Sequence, residues 1–321
     1  MNVLIGSALS EEEVEGLRAA VPLMTISVAE AREAALAEIP DAEAYVAGHW
    51  GDDLLQAGRA LRWVHFMWAG VEGVLTPALV ASDVTVTNSA GVFAVPMAEH
   101  ALALMLTFAR GLHLCARRSP GELWHAEGGR HSVACTVTEL SGATLGVVGY
   151  GGVGRAAAER ARALGMRVIA VRSRPGPPDD CAEAVYGPDG LLDALAQCDY
   201  VLISCALTPT TRGLVGADAL AHMRPNAVLV NVARGAIVDE QALLTALREK
   251  RIRGAGLDVT AQEPLPLDSP LWQMENVLIT PHVSGASPHT RGRQMALVRE
   301  NLRRHAAGEP LLNVVDKRAG H

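Results

Sequence analysis

Between residues 144 and 164 the chain reads "TLGVVGYGGVGRAAAERARAL": an apolar run, a glycine turn and an alanine-rich helix. Gly149, Gly151 and Gly154 stand in G-x-G-x-x-G spacing, directly after the strand-like run and directly before the helix. In that setting the first glycine permits a tight turn, the second lets backbone approach a pyrophosphate, and the third allows close packing of helix on strand. The start of the helix adds free N–H groups and a positive dipole end. The turn of Gly149, Tyr150, Gly151, Gly152, Val153 and Gly154 is therefore expected to bind a dinucleotide, against the alternative of a tight turn with no ligand.

The next strand, "RVIAV", ends where an acid would hydrogen-bond the ribose 2'-hydroxyl of NAD. Here Arg172, Ser173 and Arg174 follow instead. A carboxylate at that point repels an added phosphate, whereas two guanidiniums flanking a hydroxyl bind one by forked, charge-assisted contacts. The expected cofactor is NADP, with NAD possible; the alternative is that both arginines are solvated loop residues.

Three further stretches fall at the expected C-terminal ends of later strands, where open α/β sheets bind their ligands. They are "VNVARGAIVDE" with Arg234, "GLDVTAQEPLP" with Asp258 and Glu263, and "LITPHVSG" with His282. A cation, acids and a histidine thus point to one cleft. Taken singly, each has a plainer reading: a surface arginine, a turn acid before Pro264, a buried histidine after Pro281.

The elements that must position these residues alternate along the whole chain. Short runs such as "NVLIG", "LMTISV", "AEAYVAG", "LRWVHFM" and "VTVTNS" are separated by helical stretches at 10–20, 29–38 and 51–58. The pattern restarts with "ATLGVVGY" and continues through "DYVLISCA", "AVLVNVA", "GAGLDV" and "NVLITPH", with helices at 153–164 and 239–250. Such alternation predicts parallel sheets with crossover helices. Between the two series, "VPMAEHALALMLTFARGLHLCARR" reads as one long apolar helix that something must cover, followed by a Gly- and His-rich loop at 119–138. The segment 288–306 is amphipathic through Met295, Val298 and Leu302, and its periodicity leaves open which domain it joins.

At 321 residues the chain has room for two domains, and with 49% hydrophobic and 20% charged residues it has a globular composition. A net charge of -7 argues against a nucleic-acid partner. The five cysteines include no C-x-x-C pair, so neither a disulfide framework nor a zinc site is expected and the metal assignment is none. The N-terminus reads as a first strand, not as a leader, and "ALALMLTFA" is too short to span a bilayer. No membrane association and a cytoplasmic location are expected.

In order along nearly the whole chain, "WAGVEGVL", "NSAGVFAVPMAEHALALML", "ELSGATLGVVGYGGVGRAAAERARALGMRV", "TPTTRGLV", "NVARGAIVDE", "GLDVTAQEP" and "TPHVSG" resemble the D-isomer-specific 2-hydroxyacid dehydrogenases. The resemblance implies two Rossmann-like or flavodoxin-like α/β domains with an active-site cleft between them. Residues 1–93, completed by 287–321, would form the substrate-binding domain and 94–286 the dinucleotide-binding domain. It implies Arg234, Glu263 and His282 as the catalytic set: the histidine protonates the carbonyl oxygen, the glutamate orients the ring and stabilises the imidazolium, and the arginine holds the substrate. Backbone N–H groups of Gly70 and Val71 would complete the carboxylate site. Asp258 matches a position that contacts the nicotinamide carboxamide, and Ala206, Leu207, Thr211, Val232 and Ala233 match the cofactor wall, with Ala206 replacing the family's usual proline. Arg234 and His282 border the cofactor as well as the substrate.

The function implied is NADPH-preferring reduction of a small 2-keto acid of the glyoxylate or hydroxypyruvate class to the D-2-hydroxy acid, by a homodimer built on the long helix. The chain stops soon after its final helix, so the regulatory domain of longer phosphoglycerate dehydrogenases is not expected. The absence of a lysine beside Gly70 argues against phosphite oxidation, and Glu263 argues against formate oxidation. The competing reading is a dinucleotide-sensing corepressor on the same scaffold, distinguished by a peptide-binding N-terminal face and slow turnover.

Overall fold

In a computed structural model of the chain, residues 1–124 and 137–320 are described. The chain divides into two compact units, residues 1–93 with 287–321, and residues 94–286.

The first unit is built on five parallel strands: β1 (Asn2–Gly6), β2 (Thr25–Val28), β3 (Ala44–Ala47), β4 (Trp63–Phe66) and β5 (Thr85–Asn88), in the order β2-β1-β3-β4-β5. The strands are short and mostly buried, and their connections are the helices the alternation predicts. The helix Glu11–Ala20 starts on a capping box in which Ser10 accepts from the Glu13 N–H and Glu13 accepts from the Ser10 N–H. The amphipathic segment near the C-terminus forms the helix Thr290–Ala307 and buries Met295, Val298 and Leu302 against Val3, Ile5, Val46 and Trp63. Arg291 fastens it to Glu13 at 2.6 Å.

The second unit holds seven parallel strands: β6 (Thr144–Val148), β7 (Arg167–Val171), β8 (Ala184–Tyr186), β9 (Tyr200–Ile203), β10 (Val228–Asn231), β11 (Gly254–Leu257) and β12 (Val277–Ile279). Their order is β12-β11-β10-β9-β6-β7-β8. The direction of winding reverses between β6 and β9, and a doubly wound sheet binds its ligand beyond the strand ends at such a switch point. Core residues lie on both faces, which is why the central strands read as continuous Val and Leu runs.

The stretch expected to form one long helix is interrupted. A helix runs from Ala94 to Ala109, Gly111 adopts φ 64°, and a short second helix covers Leu112–Ala116. Gly111 takes the left-handed conformation that ends a helix without steric cost, and hydrophobicity alone carries no sign of that break. The first helix is covered by its own unit: Leu104 sits over Gly256 and Phe108 over Gly254, where a Cβ would come within 3.2 and 2.7 Å of them. The strand β8 was not legible because three half-buried residues at a sheet edge show no alternation. The loop expected at 119–138 opens instead with a short helix, Pro120–Trp124, a five-residue turn too brief to show a period in the sequence; residues 125–136, Cys135 among them, lie outside the described residues. No helix among the described residues is long and apolar enough to cross a membrane.

Candidate active site

The glycine turn leaves the end of β6 at the switch point. Gly149 has φ 102°, and a Cβ there would lie 2.2 Å from the Cys205 backbone nitrogen, so both conformation and space require glycine. Its N–H donates to the Val171 carbonyl at 2.9 Å, which ties the turn to the end of β7. A Cβ on Gly154 would meet the Gly149 carbonyl at 2.3 Å, whereas at Gly151 nothing lies within 4 Å. Gly151 caps the helix Gly152–Ala163 in extended conformation with no side-chain acceptor on the first N–H groups. The turn thus offers open space in front of free N–H donors, which is the fit a pyrophosphate requires.

The loop after β9 forms the other wall of the switch point. Ser204 donates to the Gly149 carbonyl at 2.9 Å. Thr211 donates to the Ala206 carbonyl at 2.7 Å and accepts from the Thr208 N–H at 2.8 Å, fixing the loop that carries Leu207. Arg172, Ser173 and Arg174 follow β7, and neither arginine carries an ion pair among the described residues; Ser173 and Arg174 are exposed.

Beyond β10, Val232 and Ala233 are buried and Arg234 opens a single 3-10 turn. Asn231 shapes this loop, donating to the Arg234 carbonyl at 2.9 Å and accepting from the Ala233 N–H at 3.0 Å. The Arg234 guanidinium donates to the Ala233 carbonyl at 2.8 Å. At Gly235 a Cβ would lie 2.0 Å from the Thr260 carbonyl, so the arginine loop rests directly on the loop after β11. There the Thr260 N–H donates to Glu263 Oε1 at 3.1 Å, and Glu263 Oε2 meets His282 Nδ1 at 2.7 Å. The imidazole and carboxylate are about half exposed, at 49% and 39%.

His282 has φ 54°, a conformation that costs a non-glycine residue about 1–3 kcal/mol and persists only where surrounding structure imposes it. Asp258 imposes it. Its carbonyl accepts the His282 N–H at 2.9 Å, and its carboxylate accepts the Val283 and Ser284 N–H groups at 3.0 and 2.9 Å and the Thr280 hydroxyl at 2.6 Å. Burial would raise the Asp258 carboxyl, but these donors outweigh burial and hold it below the ordinary carboxylate range. His100, from the helix Ala94–Ala109, closes the set with Nε2 at 2.9 Å from Thr280 Oγ1.

The structure therefore brings Glu263 and His282 into contact, seats the Arg234 loop against theirs through Gly235 and Thr260, and gathers Gly149, Ser204 and Cys205 at the switch point. Gly70 and Val71 belong to the first unit, on the loop after β4; Val71 is buried and accepts the Val74 N–H at 3.0 Å. Sequence reasoning missed Asn231, Thr260, Thr280 and His100. The first three lie inside motifs already singled out, so their hydrogen-bonding side chains were a usable signal. His100 also lies inside a quoted stretch, but on an apolar helix 180 residues from its partner, where spacing gives no sign of the contact.

A doubly wound parallel sheet with a glycine turn at its switch point, and a histidine–carboxylate pair beside an arginine loop at its strand ends, defines a class of nicotinamide-dinucleotide oxidoreductases. The model for the D-isomer specific 2-hydroxyacid dehydrogenase NAD-binding domain matches residues 102–284. The chain is 35% identical over 268 residues to a glyoxylate reductase of Korarchaeum cryptofilum, covering 83% of this chain and 79% of that one. It is 36% identical over 253 residues to an (S)-sulfolactate dehydrogenase of Chromohalobacter salexigens, covering 78% and 80%. A D-isomer specific 2-hydroxyacid dehydrogenase of Xanthobacter autotrophicus Py2, solved with NADPH and MES, superposes with a TM-score of 0.85 at 31% identity, covering 100% and 99%. The chain belongs to the D-isomer specific 2-hydroxyacid dehydrogenase family. It is an NAD(P)-dependent enzyme of that family, as the ordered motifs imply.

Proposed function

We propose that the enzyme reduces a small 2-keto acid of the glyoxylate or hydroxypyruvate class to the D-2-hydroxy acid, with NADPH preferred over NADH. The observation that carries the reading is the 2.7 Å contact of His282 Nδ1 with Glu263. It commits Nδ1 and leaves Nε2 as the nitrogen that delivers a proton. The reduced nicotinamide, when bound, supplies a hydride to C2 of the keto acid. His282 Nε2 gives its proton to the carbonyl oxygen as charge develops there, and Glu263 stabilises the imidazolium that must be present beforehand. Arg234 polarises the carbonyl and binds the substrate carboxylate, with the Gly70 and Val71 N–H groups as further carboxylate donors. Asp258 holds the backbone of residues 282–284 with a buried carboxylate and would thereby support the part of the loop that meets the carboxamide of a bound cofactor. Ala206, Leu207, Thr211, Val232 and Ala233 wall the nucleotide.

NADPH preference is supported by two arginines that carry no ion pair among the described residues where NAD enzymes place an acid, and the small substrate by the glyoxylate reductase among the relatives. A panel of 2-keto acids assayed with both cofactors tests the reading. The highest kcat/KM is expected for a two- or three-carbon keto acid with NADPH; equal or better turnover with NADH removes the cofactor assignment, and turnover of branched or aromatic keto acids alone removes the substrate assignment. The exposed Leu106 and Leu112 support a homodimer, expected in light scattering at twice the chain mass.

A further inference from the structure

The loop 172–183 leaves β7 carrying Arg172 and Arg174 and returns at β8. Its near end is fixed where the Arg172 N–H donates to the Tyr186 carbonyl at 3.1 Å. Its far end is fixed at one carboxylate. Asp179 Oδ1 accepts the Tyr150 hydroxyl at 2.7 Å and the Cys181 and Ala182 N–H groups at 2.9 and 3.0 Å, and Oδ2 pairs with Arg155 Nη2 at 2.8 Å. The Arg155 guanidinium lies 4.9 Å from the centre of the Tyr150 ring. Tyr150 belongs to the glycine turn and is buried, and Arg155 belongs to the first turn of the helix that follows. Between Arg174 and Asp179 stand Pro175, Gly176, Pro177 and Pro178, and the fixed φ angles of the three prolines leave the connection few conformations.

We infer that Asp179 is a positioning residue for cofactor selectivity: through Tyr150 and Arg155 it locks the loop bearing Arg172 and Arg174 to the phosphate-binding turn. The inference rests on the 2'-phosphate reading proposed above and names what enforces it. Two physical effects act in the same direction. Anchoring one end of a conformationally restricted loop to the turn fixes the distance between the pyrophosphate site and the two arginines, and only a dinucleotide with a 2'-phosphate uses both. Pairing Arg155 with Asp179 also offsets a cation that would otherwise attract the phosphates of either dinucleotide, leaving discrimination to Arg172 and Arg174. A buried tyrosine hydroxyl is satisfied by any carbonyl; a carboxylate shared among the turn, the helix and the loop does more than satisfy it.

The test measures KM and kcat with NADPH and NADH, and direct binding of each cofactor, for the whole enzyme and for Asp179→Ala, Asp179→Asn and Tyr150→Phe. The expected result for Asp179→Ala is a fall of about tenfold in the preference for NADPH, the worth of one charge-assisted contact. The split is expected in KM, with kcat at saturating NADPH held within about twofold. Asp179→Asn keeps an acceptor for Tyr150 but frees Arg155, and Tyr150→Phe cuts the tether but keeps the ion pair, so each is expected to lose part of the preference; they decide the matter if the alanine variant does not fold. A wild-type enzyme that prefers NADPH, with variants that keep that preference, overturns the anchor and leaves the arginine reading standing. Equal losses for both cofactors, or a loss in kcat alone, overturn it in favour of a general structural role. A wild-type enzyme without preference for NADPH overturns both.

Discussion

At the scale of single residues, the chemistry reduces to how one imidazole is held. Glu263 takes Nδ1, Asp258 takes the N–H groups of residues 282–284, and in the proposed reaction the ring keeps one nitrogen for substrate. His282→Ala is expected to lower kcat about 100-fold or more while NADPH still binds, read by steady-state kinetics and cofactor fluorescence; unchanged turnover assigns the proton to another group. Glu263→Gln replaces the carboxylate that accepts at Nδ1 with an amide that holds the ring less firmly. The kcat of reduction is expected to fall on the order of 100-fold while the KM for NADPH changes little, read by steady-state kinetics. A kcat that does not move shows that the 2.7 Å contact has no part in catalysis. These residues were legible because each sits in a short motif at a strand end, where residue type and location together restrict the chemistry. His100 was illegible because its partner is supplied by a distant segment.

At the scale of elements, strand ends and the loops that follow them carry the site, and their mutual approach is controlled by the absence of side chains at a few positions. The Arg234 loop meets the loop of Glu263 at Gly235, where there is no room for a methyl group. Gly235→Ala is expected to push the two loops apart at a stability loss of about 1–3 kcal/mol. Because reacting groups misplaced by about 1 Å lose on the order of 100-fold in rate, kcat is expected to fall steeply while the KM for NADPH changes little. Thermal melting together with kinetics checks it, and a variant with normal kcat shows the loops to be independent. The main strands and the longer helices were readable from periodicity, whereas the edge strand β8 was not. The break at Gly111 was not, because an apolar helix end and an apolar helix interior share one composition and differ only in one backbone angle.

At the scale of the whole molecule, both units bury polar groups that make stability depend on pH. In the first unit His65 is fully buried, with Nδ1 at 2.8 Å from Thr87 Oγ1 and Nε2 at 3.4 Å from Ser89 Oγ. Thr87 accepts from Trp63 and Ser89 donates to the Phe66 carbonyl, so a neutral ring protonated on Nε2 satisfies the set. Burial pushes its pKa down to about 4 from 6.5. The folded state thus resists a proton that the unfolded chain accepts, and stability falls as pH drops from 6.5 towards 4. At about 1.4 kcal/mol per unit, the penalty from this one group is about 2 kcal/mol at pH 5. Urea unfolding at pH 7 and pH 5 is expected to show a steeper loss for the wild type than for His65→Asn. His113 and His305, also lowered by burial, act equally in both proteins. Equal slopes would remove His65 as the acid-sensitive group.

From its residue order alone this protein was readable as a parallel α/β enzyme that binds a dinucleotide, because periodicity, the glycine spacing and the charged residues at strand ends are local properties of a chain. The tertiary structure alone decided that Asp258 holds the histidine in a left-handed conformation and that Asp179 joins the glycine turn to the arginine loop. Each of those depends on which distant segments are brought within hydrogen-bonding distance, and that is set by the packing of whole elements, which no local spacing encodes.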